Sequence, residues 1–357
     1  MKRLISLLLC LILLGGCSAF VEKSSSKKRY SATFLDLFDT VTTMVGKAES
    51  KQAFDTLVKP IRDELERYHK LFDIYEQYEG INNLKTINDK AFLSPITVDT
   101  AILDLLEDCK DYYTATNGVF NPAMGSVLKL WHDARENGVN DPETAYLPDF
   151  NALSKASQHI NPDNIILNRE NSTVFISDPL LKIDVGAIAK GWAVQKVCKN
   201  APEGLLISVG GNVYATGPKD EKGTAWSVGI QDPKGGSNLH VLNITSGSVV
   251  TSGSYQRTYA VDGKLYHHII DPATLYPSEL WTSVTIVCED SGLADVLSTP
   301  LFLLNREQGQ ALLDKFGATA LWVDAKENQY FSPGFQDLIE NQKTVRTNCS
   351  NGLLILF

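Results

Sequence analysis

The sequence predicts an α+β fold, mostly antiparallel sheet with packed helices, carried by a single domain. Short apolar runs bounded by turn residues crowd the chain after residue 200, as a succession of antiparallel strands would. Stripes of 3.6-residue spacing stand between and around these runs instead of alternating with them one for one. No Pro- or Ser-rich linker interrupts the interior, although 357 residues alone would suggest about two domains at ~150 residues each. Apolar residues make up 43% and charged residues 21%, an ordinary globular balance that excludes a disordered, collagenous or disulfide-scaffold chain. The net charge of −9 argues against a protein that works on a nucleic-acid backbone, so any phosphate-bearing partner must be held by local positive charge.

Residues 1–16 read as a signal peptide: Lys2 and Arg3 precede an almost unbroken apolar run too short to span a bilayer as a permanent helix. The run ends in Leu14-Gly15-Gly16-Cys17, which resembles the bacterial lipoprotein signal, with Cys17 as the lipidated new N-terminus. An extracytoplasmic, membrane-anchored protein is therefore expected. Residues 17–31 read as a tether, and the domain as residues 32–357. The tether's Lys and Arg fit either a solvated linker or a contact with anionic head groups. Cys109, Cys198, Cys288 and Cys349 show no CxxC spacing, so a zinc site is not expected and the thiols are read as free or incidental.

Along the domain, residues 52–72 place Phe54, Leu57, Val58, Ile61, Leu65, Tyr68 and Phe72 on one helical face. Residues 97–116 predict a second helix, capped by Thr97 or Asp99 and stopped near Gly118. Residues 186–199, 291–304 and 306–316 predict three more. Strands are expected at 172–177, 180–184, 205–209, 213–216, 224–230, 240–245, 248–252, 257–261 and 281–288. The tail 352–357 fits a last strand or a contact surface.

Four constellations carry chemistry. Asp184-Val-Gly-Ala187-Ile-Ala-Lys190-Gly191 feeds a helix N-terminus through a small-residue turn, which suits an anionic ligand or is an ordinary strand-turn-helix with a surface Lys. Val209-Gly-Gly-Asn212 allows close backbone approach by a ligand, or is a tight turn. Thr251-Ser-Gly-Ser-Tyr255-Gln-Arg257 leads to His267-His268-Ile269-Ile-Asp271-Pro272, a density of polar groups that need partners if half-buried. On a helix, Asp295 and Thr299 are one turn apart; with backbone carbonyls they make an oxygen-only set suited to Mg²⁺ and phosphate, or they are a capping segment with a neutral Thr.

Together with Asn117-Gly-Val-Phe120-Asn121-Pro122, and in this order, these segments resemble the FAD:protein FMN transferase (ApbE) family over roughly residues 34 to 330. The resemblance implies that Asp184 and Lys190 contact FAD, and that Ala187 lends a carbonyl to a metal held by the side chains of Asp295 and Thr299. It implies that Met44, Tyr75, Phe120, Asn121, Pro122 and Ile269 pack around the flavin nucleotide, with His268 near the reacting phosphate. Asn121, Val45 and Leu275 depart from the family pattern, which more often has Asp, Gly and Gly there. The activity implied is Mg²⁺-dependent transfer of FMN from FAD to a Thr or Ser hydroxyl of an exported flavoprotein, with AMP leaving. His268 is then the expected base, its ordinary pKa of ~6.5 lying near working pH, and Asp271 the group expected to orient it. An FAD pyrophosphatase and a non-catalytic flavin-binding lipoprotein are the alternatives.

Overall fold

The computed structural model describes residues 27–339. The signal segment, Cys17, most of the tether, Cys349 and the tail 352–357 lie outside the described residues. Strand β1 (Lys28–Leu37) starts inside the expected tether, because Lys28 already pairs with Ala48 of β2 (Thr40–Ala48). The turn between them holds both Phe38 and Asp39 at φ 53°, the left-handed geometry that a tight two-residue hairpin demands.

Helices follow the apolar periodicity. Helix α1 (Lys51–Phe72) buries Phe54, Val58, Ile61, Leu65, Tyr68 and Phe72 and is capped by Ser50. Three helices that the sequence reading did not assign are α2 (Leu84–Lys90), α4 (Gly125–Asn140) and α5 (Phe150–Ala156). Helix α3 (Thr100–Ala115) is capped by the Asp99 side chain, and Gly118 lies just beyond its end at φ 80°. Helix α6 (Ala189–Cys198) begins three residues later than expected, because residues 184–188 turn before they wind. Helices α7 (Ser291–Leu303) and α8 (Arg306–Phe316) match expectation, the latter ending at Gly317.

The remaining strands are β3 (Ile96–Thr97), β4 (Ile165–Asn168), β5 (Thr173–Ile176), β6 (Leu205–Val209), β7 (Asn212–Ala215), β8 (Trp226–Gln231), β9 (Asn238–Ile244), β10 (Gly247–Gly253), β11 (Tyr259–Val261), β12 (Lys264–Tyr266), β13 (Ser283–Cys288), β14 (Thr319–Val323) and β15 (Gln329–Phe331). Six of them join β1 and β2 in one antiparallel sheet in the order β1-β2-β6-β7-β10-β13-β14-β15.

Because side chains alternate along a strand, this sheet has two apolar faces. Met44, Ile207, Val209, Val250 and Ile286 point to the helices, where α1, α3 and α6 cover one end and α7 and α8 the other. Val45, Leu206, Val213, Val249 and Leu321 point to the opposite side, which the β8–β9 hairpin covers with Trp226, Val228 and Ile230. A smaller core joins α4 to the β11–β12 segment through Trp131, Tyr259, Ile270 and Leu275. Cys109, Cys198 and Cys288 are free thiols. No helix among the described residues is long and apolar enough to cross a membrane.

Residues 180–184 form no ladder strand, contrary to expectation. Their backbone groups are satisfied one by one instead. Lys182 O accepts from Gly125 N at 3.0 Å, and Asp184 N donates to Pro122 O at 2.9 Å. Asn88, buried, brackets Ile183: its Oδ1 accepts from Ile183 N at 2.7 Å and its Nδ2 donates to Ile183 O at 2.9 Å. The segment is thus pinned by three elements, and Asp184 is delivered at its end to the mouth of α6.

Candidate active site

A cleft of about 400 Å³ opens between the helix side of the sheet and the α4 core. It collects Asp184, Gly186, Ala187 and Lys190 from the start of α6, Asn212 from β7, and Asp295 and Thr299 from α7. What brings these elements together is Gly191. A methyl group there would lie 2.3 Å from Ser291 O and 2.4 Å from Asp295 Cβ, so only glycine lets α6 and α7 touch. At that contact Gly191 N donates to Asp295 Oδ2 at 2.8 Å, and Lys190 Nζ stands 3.8 Å from the same oxygen.

Burial raises the pKa of Asp295, which is 4% exposed, while Lys190 and the Gly191 N–H pull it back toward the charged form. Asp184 is likewise raised by burial, opposed by the Gly186 N–H that its Oδ1 accepts at 2.8 Å and by Arg257. Next to Asp295, Asn212 Oδ1 accepts from Ser291 Oγ at 2.6 Å, and its buried amide favours the charged form of Asp295. Lys190, Arg257 and Arg135 line the same cleft and supply the local positive charge that an acidic chain needs for an anion.

For a cation, the cleft offers the Asp295 carboxylate, the Thr299 hydroxyl one turn on, and backbone oxygen at Ala187. The described residues contain no group of three or more His, Cys, Asp or Glu that would hold a metal by themselves. An oxygen-only, incomplete set fits a hard cation that takes its other oxygens from a bound phosphate.

The opposite wall holds the flavin-side candidates. Phe120, Asn121, Ile269 and Tyr75 line the cleft. Tyr75 is 52% exposed, with its ring 4.9 Å from that of His132. Asn121 is tied to the backbone at both ends of its amide, through Ile160 O and Ala123 N, so it shapes the wall more than it offers free donors. Two expectations are corrected. Met44 is wholly buried on the helix face of the sheet, packed in the main core away from the cleft. Pro122 does not line the cleft; its carbonyl holds Asp184 N.

His268 does line the cleft, with Nδ1 3.3 Å from Gln256 O, which makes Nδ1 the donor and leaves Nε2 as the acceptor. Its pKa is not the ordinary one expected. Burial first, then Arg257 and His267, push it down to about 3. Asp271 does not orient it: that carboxylate caps its own turn by accepting from Ala273 N at 2.8 Å.

The sequence reading missed part of the lining. His132, Arg135 and Trp131 come from α4, whose buried Val127, Trp131, Ala134 and Gly138 carry a helical spacing that would have found it. Phe38, Asp39 and Thr40 come from the β1–β2 turn, whose two left-handed non-glycine residues leave no sequence signature. Leu275, where the family more often has Gly, sits at φ 65° and is 8% exposed. The position demands left-handed backbone, and here packing in the α4 core offsets the strain.

An α+β scaffold whose cleft of about 400 Å³ sets Lys190, Arg257 and Arg135 beside the Asp184 and Asp295 carboxylates has the local charge and the room for a nucleotide-like anion. The family model described as the ApbE family matches residues 37–322, and the chain belongs to that family. An FAD:protein FMN transferase of Treponema pallidum is 33% identical over 76% of this chain and 80% of its own length. One of Klebsiella pneumoniae is 32% identical over 68% and 77%. Among solved structures, an ApbE protein of Thermotoga maritima superposes with a TM-score of 0.77 at 28% identity, covering 88% of this chain and all of that one. The flavin transferase ApbE of Vibrio cholerae shares the fold at a TM-score of 0.71 and 21% identity, over 87% of this chain and 99% of its own.

Proposed function

We propose that this protein transfers the FMN moiety of FAD to a Thr or Ser hydroxyl of an exported flavoprotein, releasing AMP, with Mg²⁺ in the cleft. The observation that carries the reading is the α6–α7 contact, where Gly191 brings Lys190 and Asp295 to one point beside the Asp184 turn. The family relatives named FAD:protein FMN transferase support it.

In the reaction the acceptor oxygen forms a bond to the FMN-side phosphorus of the pyrophosphate. The P–O bond to AMP breaks, and AMP leaves with the bond pair. The hydroxyl proton passes to a base. Phosphoryl transfer of this kind is mostly positioning and charge stabilisation. Lys190 holds the phosphates from the first turn of α6, and Arg257, which lines the same cleft, adds charge. Asp295, Thr299 and the Ala187 carbonyl would hold Mg²⁺, which supplies charge neutralisation across the pyrophosphate. His268 Nε2 is the proton acceptor the cleft offers. Its lowered pKa keeps Nε2 unprotonated across the working range but makes it a weak base, able to take the proton only once bonding to phosphorus has made the attacking oxygen strongly acidic. Lipid on Cys17 would place the enzyme at a membrane surface outside the cytoplasm, where exported acceptors fold.

The test is incubation of the purified protein with FAD, Mg²⁺ and an exported flavoprotein, followed by denaturation. A yellow product that survives denaturation, with AMP released in equal amount, is expected. Free FMN and AMP with an unlabelled acceptor would mean that water is the nucleophile and the protein is an FAD pyrophosphatase.

A further inference from the structure

A second cavity, of about 420 Å³, lies on the other face of the sheet. Its floor is apolar, made by Val213 and Val249 from the sheet and Val228 from β8, with Val41, 47% exposed, on one wall. Its rim is polar, with Thr43, Gln231 and Tyr255. The register explains why it sits back to back with the nucleotide cleft. Val249 and Thr251 point to the hairpin side of β10, whereas Val250 and Ser252 point to the cleft. The two spaces meet over the end of the sheet, because Thr40, Gly210, Thr251 and Gln256 line both. Gln256 is the residue whose carbonyl holds His268. At this rim Gly211, at φ 85°, presents bare backbone with nothing in reach of an added methyl.

One wall of the groove is also an unpaired strand edge. β8 bonds to β9 alone, and no backbone group of residues 226–231 makes a further backbone hydrogen bond among the described residues. An apolar floor beside a free strand edge is the arrangement that takes up an extended polypeptide as an added strand.

We infer that this groove is the docking site for the acceptor: an extended segment of the target protein lies along β8 and turns over the Gly210–Gly211 rim, bringing its hydroxyl to His268 and the FMN-side phosphorus. The inference rests on the transferase reading and gives that reading its second substrate site. FAD fills one face of the sheet end and the polypeptide reaches it from the other, so neither must leave for the other to enter.

The probe is a library of short synthetic peptides, each with one central Thr or Ser, incubated with FAD and Mg²⁺ and scored for covalent flavin by mass spectrometry. The best peptide is then titrated against wild type, Val41→Trp and Gln231→Trp, which fill the groove from opposite walls at two positions that do not themselves line the nucleotide cleft. Expected is a rise in peptide KM of about tenfold or more in both variants, with FAD affinity, read by flavin fluorescence, and thermal unfolding unchanged. Unchanged peptide KM in both, with wild type active, overturns the groove while leaving the transferase reading intact. Weakened FAD binding in both overturns it too, by making the groove part of the FAD site. A wild-type enzyme that labels no peptide in the library overturns the inference together with the reading beneath it.

Discussion

The wall of the cleft made by α6, α7 and the sheet is packed to its limit. Gly191 admits no methyl, Asp295 is held by a backbone N–H, and the surrounding side chains belong to the two large cores of the sheet. The wall made by α4 and β11–β12 stands on a separate, smaller core. It is tied by side-chain to backbone bonds such as Trp131 Nε1 to Leu275 O at 2.9 Å and Tyr259 OH to Tyr146 O at 3.1 Å. The first wall cannot adjust without moving a helix, which suits groups that must meet a phosphate within a fraction of an ångström. The second stands on fewer buried side chains and on ties to loop carbonyls, so a substitution there disturbs the phosphate-binding groups less.

This contrast is open to direct attack. Lys190→Ala, on the rigid wall, should lower kcat by ~10²–10³, the scale for losing one preorganised electrostatic group. Arg135→Ala, on the other wall, should chiefly raise the KM for FAD, by about tenfold, with kcat nearly kept. Equal kcat losses in both would erase the distinction. Gly191→Ala should destabilise by about 1–3 kcal/mol from overpacking and slow transfer by about 100-fold, because Asp295 and Lys190 are pushed apart. Thermal unfolding and single-turnover rates measure the two effects separately.

A smaller effect distinguishes the walls by pH. The folded pKa of His268, about 3, lies below its ordinary 6.5, so between those values the unfolded chain takes up a proton that the folded one refuses. Stability is therefore lost as pH falls through that window, and His268→Gln should retain about 2 kcal/mol more than wild type on going from pH 7 to pH 5. The raised pKa values of Asp184 and Asp295 act with the opposite sign, stability being lost as pH rises above the ordinary carboxylate value. Denaturant unfolding at the two pH values reads the difference. A His268→Gln curve parallel to wild type would mean that the ring is as hydrated as in the unfolded chain.

The two walls also differ in how legible they were. Most of the first could be read from the sequence, since its residues sit in contiguous motifs at helix starts and strand ends: Asp184 to Gly191, Gly210 to Asn212, Asp295 and Thr299. The physical reason for one of them, Gly191, lies in a partner 104 residues away and becomes visible only in three dimensions. On the second wall the sequence marked Tyr75, Phe120, Asn121 and Ile269, which line the cleft, but not the helix α4 behind them. α4 opens on Gly125 without a capping side chain, and α2 and α5, at seven residues each, are too short for periodicity to mark. Residues 180–184 read as a strand in sequence, because a run pinned by Asn88, Pro122 and Gly125 looks the same there as one in a ladder. Met44 belongs to a motif on a strand whose alternation turns it into the core. The motif located the strand, and the pleat decided the face.

The measurement that tests the account most directly is single-turnover flavin transfer by Asp295→Asn, alongside its FAD affinity and its thermal unfolding. If the α6–α7 contact builds the phosphoryl-transfer centre, the variant stays folded, still binds FAD, and transfers FMN at least ~10³-fold more slowly. Transfer at the wild-type rate by a folded Asp295→Asn protein would contradict it.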